Sequence, residues 1–420
     1  MQYMREVREM ANLILALGGV LGALLAIYFV ITSLGGFLIG KKYVLREYGD
    51  SIRIAAVIPA RNEAAVIREL VKSLKAQEYP AELLDIYVIP NNCTDDTEQA
   101  AREAGAKILH CEGPIRRKGD VLRQAFGQLS ETGHYDAYCV FDADNLVHPK
   151  FMHSVNNACW IGYDAAQGFR DSKNPFDSWL SGGTTIFYWF MSRIFNESRA
   201  RLGLSCHLNG TGFMVTDKLV RKLGWNTYTL TEDLEYTAQC ALADCRIGWM
   251  PGARVYDEQP IRFWDSAVQR RRWTAGSLQC TRRYAKKLMG KGTPWSLDIG
   301  CLFLGNLMNY VGILSAIASC VEYRDLIADH LPLALAMGAA YVAVLWLVCS
   351  GAAAFMVWRE GLLSWESLPT VLLFPLFLAS WMPINIFACL TPPPKWRMVR
   401  HTRGVSMADM GRRGSDEVKT

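Results

Sequence analysis

Four long apolar runs constrain this chain more than anything else in it. Ala11–Gly40 contains no charged residue. It is longer than the roughly 20 residues that a helix needs to cross a bilayer. Three more candidate spans stand near the other end, at Ser296–Val321, Leu331–Trp358 and Leu368–Leu390. Residues 53–290 between them are far more polar. A secretory leader does not fit the start: Arg5, Glu6, Arg8 and Glu9 give a mixed-charge beginning, and no small-residue cleavage site follows. The expected organisation is an integral membrane protein with one large hydrophilic domain between an N-terminal anchor and a C-terminal bundle.

Positive charge orients it. Lys41, Lys42 and Arg46 follow the first run, so the hydrophilic domain is expected in the cytosol. Three further crossings would put the basic tail (Lys395, Arg397, Arg400, Arg403, Arg412, Arg413) outside, against the same rule. The reading that keeps the rule has one apolar segment lying in the interface or re-entering, and a cytosolic tail. Twelve cysteines are scattered singly, none in C-x-x-C, which suits free thiols in a reducing compartment. Cys206-His207 reads as a buried thiol beside an ordinary histidine. The net charge of +5 is too modest for a chain-wide nucleic-acid surface, and nucleic acid is excluded as a partner.

The hydrophilic middle alternates strands and helices. Ile52–Pro59, Leu83–Pro90, Lys107–Cys111 and Tyr138–Phe141 are short, apolar and rich in β-branched or aromatic residues. Ala64–Ala76, Thr94–Ala104 and Gly119–Leu129 repeat apolar residues at helical spacing, with Asp95, Asp96 and Glu98 expected in the first turn of the second. That alternation predicts an α/β fold with a mostly parallel, doubly wound sheet. Such sheets bind ligands at the carboxyl ends of their strands. The polar clusters lie there: Ala60–Glu63, Asn91–Asp96, Arg116–Asp120 and Asp142–Asn145.

FDADN at Phe141–Asn145 puts two carboxylates just past a strand. Hard oxygen ligands in that position suit Mg2+ or Mn2+ bridging a diphosphate. In LTEDLEY, Asp233 is a candidate general base, or part of a helix-capping run with Thr231 as the cap. QRRRW at Gln269–Trp273 reads either as the basic rim of an interfacial helix or as a diphosphate site with a stacking tryptophan. Lys118 stands at a strand–helix junction suited to a phosphate, and HLNGTGF carries glycines that allow close backbone approach.

In order, PARNE, NNCTDD, KG, DAD, NGTGF, TED and QRRRW, followed by membrane spans, resemble the membrane-embedded family 2 glycosyltransferases, the cellulose, chitin, hyaluronan and poly-N-acetylglucosamine synthases among them. The resemblance runs from about residue 53 to 280. It implies a GT-A domain at 51–262 after an anchor at 1–50, an interfacial region with QRRRW at 263–293, a transmembrane region at 294–392 and a basic tail at 393–420. It implies a UDP-sugar donor bound by Pro59, Glu63, Asn92, Lys118, Asp142, Gly210 and Glu232, with Asp142 and Asp144 on the metal. Asn92 stands where many relatives carry aspartate. Asp233 would be the base, and Gln269, Arg272 and Trp273 would face the diphosphate and the acceptor entrance. Arg270 and Arg271 fall at variable positions, which leaves their charge to the membrane surface.

The implied activity is inverting transfer of a hexose or N-acetylhexosamine to a growing β-linked glycan at the cytosolic face of the cell membrane. Trp179, Trp189, Trp264 and Trp273 are candidate sugar-stacking walls. The alternative is a single addition to a lipid acceptor, as in the similar ceramide glucosyltransferases. There Phe187–Phe195 is expected to touch the bilayer. A transporter with a regulatory nucleotide domain gives no reason for Asp233 beside the D-x-D pair.

Overall fold

The computed structural model of the protein describes residues 2–39, 46–394 and 404–410. Lys41, Lys42 and all six basic tail residues named above lie outside them.

Eight strands form one sheet: β1 Ile54–Ala60, β2 Leu84–Pro90, β3 Lys107–Ile108, β4 Ala137–Val140, β5 Leu146–Val147, β6 Ala165–Ser172, β7 Phe213–Thr216 and β8 Ile247–Asp257. Their order is β3-β2-β1-β4-β7-β6-β8-β5. The first four strands are parallel, as the alternation predicts. The other half is mixed, because β7 runs antiparallel between β4 and β6, and β5 antiparallel to β8. The period of two along β1 explains its continuous apolar run. Ala55 and Val57 enter one core, and Ile54, Ala56 and Ile58 the other. A strand covered on both faces has no solvent side on which to place polar residues.

Two element ends differ from expectation. The helix expected from Thr94 starts at Thr97. Asp95 accepts the Thr97 N–H at 3.1 Å and the Ala64 N–H at 3.1 Å, so its side chain competes with the helical backbone and ties two loops together. Only Glu98 remains in the first turn. β3 keeps two residues rather than five, since only Tyr87 and Val88 of β2 pair with it.

Among the described residues three helical segments are long and apolar enough to cross a membrane: Glu9–Leu38, Leu331–Arg359 and Leu368–Leu390. Pro294–Gly305 and Met308–Glu322 form a fourth candidate, bent by 44°. Arg199, fully buried, donates to Thr32 and Ser33 of the first segment and lies 3.4 Å from Asp298 of the bent pair. Glu360, at the end of the Leu331–Arg359 helix, accepts from Arg193 at 2.9 Å and Arg254 at 3.0 Å.

Leu368–Leu390 differs from the other segments. Near its start Thr370 packs on Gly182, in its middle Ser380 accepts from Arg270 at 2.6 Å, and just past its end Thr391 accepts from Arg271 at 2.9 Å. The segment therefore packs on the sheet domain near its start and on the helix that carries QRRRW from its middle to its end. Phe187–Phe195, expected against lipid, is covered by it instead: Phe187 packs on Trp381 and Phe190 on Phe374. In the tail, Met410 is buried against Leu146 and Tyr256, which returns the chain to the sheet domain.

Candidate active site

The carboxyl ends of β1, β4 and β6 open into one cavity of about 770 Å³. Its wall includes Pro59, Glu63, Lys118, Asp142, Asp144, Gly210, Glu232, Asp233, Gln269, Arg272 and Trp273. Residues spread over more than 200 positions of sequence thus meet in one space. Asn92 is the exception. Its left-handed backbone (φ 49°) turns the chain, its amide donates to the Ile115 carbonyl at 3.1 Å, and the neighbouring Asn91 lines the cavity in its place.

Asp142 and Asp144 follow β4. The Asp142 backbone N–H donates to Asn145 at 3.0 Å and to Thr211 at 3.1 Å, which fixes the turn. Asp144 is buried and accepts the Glu258 N–H at 3.0 Å. Lys118, the first residue of the helix Lys118–Glu131, donates to Asp142 at 2.5 Å and to the Gly210 carbonyl at 2.6 Å. Its nitrogen is 3.7 Å from Glu232. Burial works against the ammonium, but Asp142 and Glu232 outweigh it and hold the pKa above the ordinary lysine value. For Asp142 burial raises the pKa, and Lys118 together with Arg170 and Arg272 reverses it, so the carboxyl titrates below its usual range.

Glu232 and Asp233 open the helix Glu232–Leu242. Thr231 sits at the cap position without capping; its hydroxyl faces Cys280 at 3.6 Å. Burial pushes the Asp233 carboxyl up to about 7, with Glu232 adding to the effect. A carboxyl poised near neutrality in a cavity can take or give a proton at physiological pH. Gly210 makes room for it. The residue has φ +83°, and a Cβ there would stand 3.2 Å from Asp233 Oδ2.

The helix Phe263–Lys291 explains the Q-x-x-R-W spacing. Positions i, i+3 and i+4 share a helix face, so Gln269, Arg272 and Trp273 line the cavity together. Arg272 makes no hydrogen bond with a described residue, and the Gln269 carbonyl oxygen is buried without a partner. Trp273 stacks on Trp381 at 6.2 Å and meets Tyr188 edge-on at 5.9 Å. Arg270 does not face a membrane surface as expected, and Arg271 is half-buried. Arg270 is fully buried between Phe377 and Trp381, and Arg271 donates to Thr391 and the Pro392 carbonyl. The reason is Leu368–Leu390, which covers that side of the helix.

Several wall residues carry no signal in the sequence. Arg170 donates to Asp257 and to the Asn209 carbonyl, each at 2.6 Å, and lies 3.9 Å over the Tyr188 ring. Burial raises the Asp257 carboxyl to about 6, against the pull of Arg170. Glu235, fully buried, accepts from the Tyr228 and Thr229 N–H groups at 2.6 and 2.7 Å and from Tyr284 at 2.8 Å. It holds the loop that leads to Asp233. His207 lines the cavity, and burial followed by Arg199 lowers its pKa to about 3, so it is neutral. Of the expected tryptophan walls only Trp273 lines the cavity; Trp189 is a core residue and Trp264 is mostly exposed.

Known proteins are similar to this chain in sequence and in fold. A beta-monoglucosyldiacylglycerol synthase from Nostoc sp. is 27% identical over 290 residues, 64% of this chain and 59% of that protein. The probable glycosyltransferase YdaM of Bacillus subtilis is 26% identical over 239 residues, 54% of this chain and 55% of that protein. The chain thus spans less than two thirds of the length of these relatives. A solved mannosyltransferase from Pyrobaculum calidifontis, in complex with GDP-Man and Mn2+, superposes with a TM-score of 0.59. It covers 91% of this chain and 99% of its own at 16% identity, a likeness of fold. The family described as "Glycosyltransferase like family 2" matches residues 52–276, from β1 through the first half of the long cavity-lining helix. Just over half of the sequence, including nearly the whole wall around Asp142 and Asp233, therefore carries the family pattern, and the chain belongs to the glycosyltransferase-like family 2, with a GT-A-type α/β sheet.

Proposed function

We propose that the protein transfers one sugar, with inversion, from a nucleoside-diphosphate donor such as a UDP-sugar to the hydroxyl of a membrane lipid. The observation that carries this reading is the continuity of the cavity. It runs from Asp142 and Asp233 to Asn306, Tyr310 and Asn385 on the apolar helices. A lipid can bring its headgroup to the carboxylates along that path while its chains stay among the helices. The names of the Nostoc relative and its like agree with a lipid acceptor.

Asp233 takes the proton from the acceptor hydroxyl as the oxygen attacks the anomeric carbon. The attack comes from the face opposite the diphosphate, so an α-linked donor gives a β-glycoside. Arg272, permanently charged and without a hydrogen-bonding partner among the described residues, meets the charge that grows on the departing diphosphate. Lys118 stands beside the same phosphates. Asp142 and Asp144, two hard oxygen donors on the turn after β4 that both line the cavity, would hold a divalent cation, Mg2+ or Mn2+. Bound there, the ion supplies charge neutralisation at the leaving diphosphate.

Elongation of a β-glycan is the second reading. It is favoured by the Tyr188–Trp273–Trp381 ring stack beside the cavity, a surface on which sugar rings can rest. The two readings separate on product size. Radiolabelled UDP-sugar with membranes and Mn2+ is expected to give one chloroform-soluble product. A ladder of glycans would replace the lipid reading with the polymer one.

A further inference from the structure

The described charged residues of the cavity wall all belong to the sheet domain and the QRRRW helix. On the membrane side the described wall changes character. Asn306, Asn309, Tyr310, Trp381 and Asn385 come from the apolar helices, and none carries a charge. Their hydrogen-bonding capacity is largely unused. The Trp381 indole N–H is buried without a partner, as is the hydroxyl of Ser277, which faces the same arm. Asn385 accepts from Thr274 at 2.7 Å, while its own NH2 donates to no described residue. Each orphaned buried polar group costs about 1–3 kcal/mol until something meets it.

Resting on the lipid-acceptor reading above, we infer that this arm is a headgroup subsite selective for an uncharged, hydroxyl-bearing lipid. It excludes lipid phosphates. A hydroxyl donates and accepts, so it can satisfy an indole N–H, an amide and a serine together. A phosphate brought into the arm would lose its hydration among described lining residues that carry no charge. It would then approach Glu232 and Asp233, two acids at the inner end, and Arg272 is already committed to the donor. The chemistry at Asp233 agrees. A hydroxyl nucleophile needs a base to receive its proton, whereas a phosphate oxygen is ionised beforehand and gains nothing from one.

The test uses the full chain in phosphatidylcholine nanodiscs with radiolabelled UDP-glucose, UDP-N-acetylglucosamine or GDP-mannose and Mn2+. The discs carry dioleoylglycerol in one arm and undecaprenyl phosphate in the other. Sugar on dioleoylglycerol and none on undecaprenyl phosphate is the expected result. Sugar on undecaprenyl phosphate alone overturns this inference and leaves the lipid-acceptor reading standing. No lipid product with any donor overturns both. Asn385→Asp is expected to raise the KM for dioleoylglycerol about tenfold or more, with the donor KM unchanged. Acceptor-independent release of UDP or GDP confirms that the variant is folded. An unchanged acceptor KM in that folded variant removes Asn385 from the subsite and the inference with it.

Discussion

Arg270 and Arg272 stand two positions apart on one helix and have opposite surroundings. Arg272 faces the cavity with no hydrogen-bonding partner among the described residues, while Arg270 is buried against Phe377, Ser380 and Trp381. Arg272→Ala is therefore expected to lower kcat by about 10²–10³-fold, the usual cost of one lost transition-state donor, with the melting temperature nearly unchanged. Arg270→Ala is expected to do the reverse, destabilising the fold by about 2–4 kcal/mol. Arg270→Met should recover most of that loss, because burial already lowers the Arg270 pKa to about 10 and an apolar chain of similar length avoids the desolvation. Thermal denaturation beside initial rates checks all three. Asp233 gives a pH signature. A base works only when ionised, and this carboxyl is raised to about 7, so kcat/KM is expected to climb through neutrality and level off above it. Asp233→Asn should remove that limb and about 10²–10⁴ of the rate while donor binding persists. Near-normal turnover in that variant would sink the base assignment.

Among elements, the decisive contact is between the QRRRW helix and the loop before Glu232. Gly276 faces Thr231 so closely that a Cβ would come within 2.6 Å of its methyl group and 2.9 Å of its backbone nitrogen. The glycine sets how near Arg272 comes to Asp233. Gly276→Ala is expected to slow turnover by about 10–100-fold, because a displacement on the order of 1 Å at reacting groups costs that much. Circular dichroism should show the helices intact. The Q-x-x-R-W spacing was legible in the sequence, since three residues at i, i+3 and i+4 can only share a face if the segment is helical. The partner that helix packs against was not. Glu235, which accepts two backbone N–H groups and pins the Asp233 loop, looks in sequence like one more acid in a helical first turn. Asp95 carried the opposite ambiguity. It reads as a first-turn acid and serves instead to bridge the loop after β1 to the loop after β2.

At the scale of the whole molecule, the basic tail conflicts with three C-terminal crossings. The contacts of Leu368–Leu390 point to a resolution. One of its ends meets the sheet domain and the other the QRRRW helix, and Met410 returns to the sheet domain. If that segment does not cross, two crossings after the domain, by the bent pair and by Leu331–Arg359, are expected to bring the chain back to its starting side. Single cysteines at Glu366 and Pro393, in a chain stripped of its native cysteines, are expected to react with an impermeant maleimide from the same side of the membrane. A cysteine at Asp325 should react from the other. Labelling of Glu366→Cys and Pro393→Cys from opposite sides would show that Leu368–Leu390 crosses after all.

The sequence by itself determined the apolar segments, the parallel half of the sheet, the strand-end carboxylates and the helical face of QRRRW. Each of these is written in local periodicity, which the backbone geometry of one element enforces. Only the tertiary structure decided that Arg270 is a core residue, that Asn91 rather than Asn92 lines the cavity, and that Leu368–Leu390 packs on the sheet domain and the QRRRW helix. The same holds for β7, which enters the sheet antiparallel between β4 and β6. Those outcomes depend on which surface covers a residue. Coverage is set by contacts between segments more than a hundred residues apart, as with Arg270 and Ser380, and no local pattern records them.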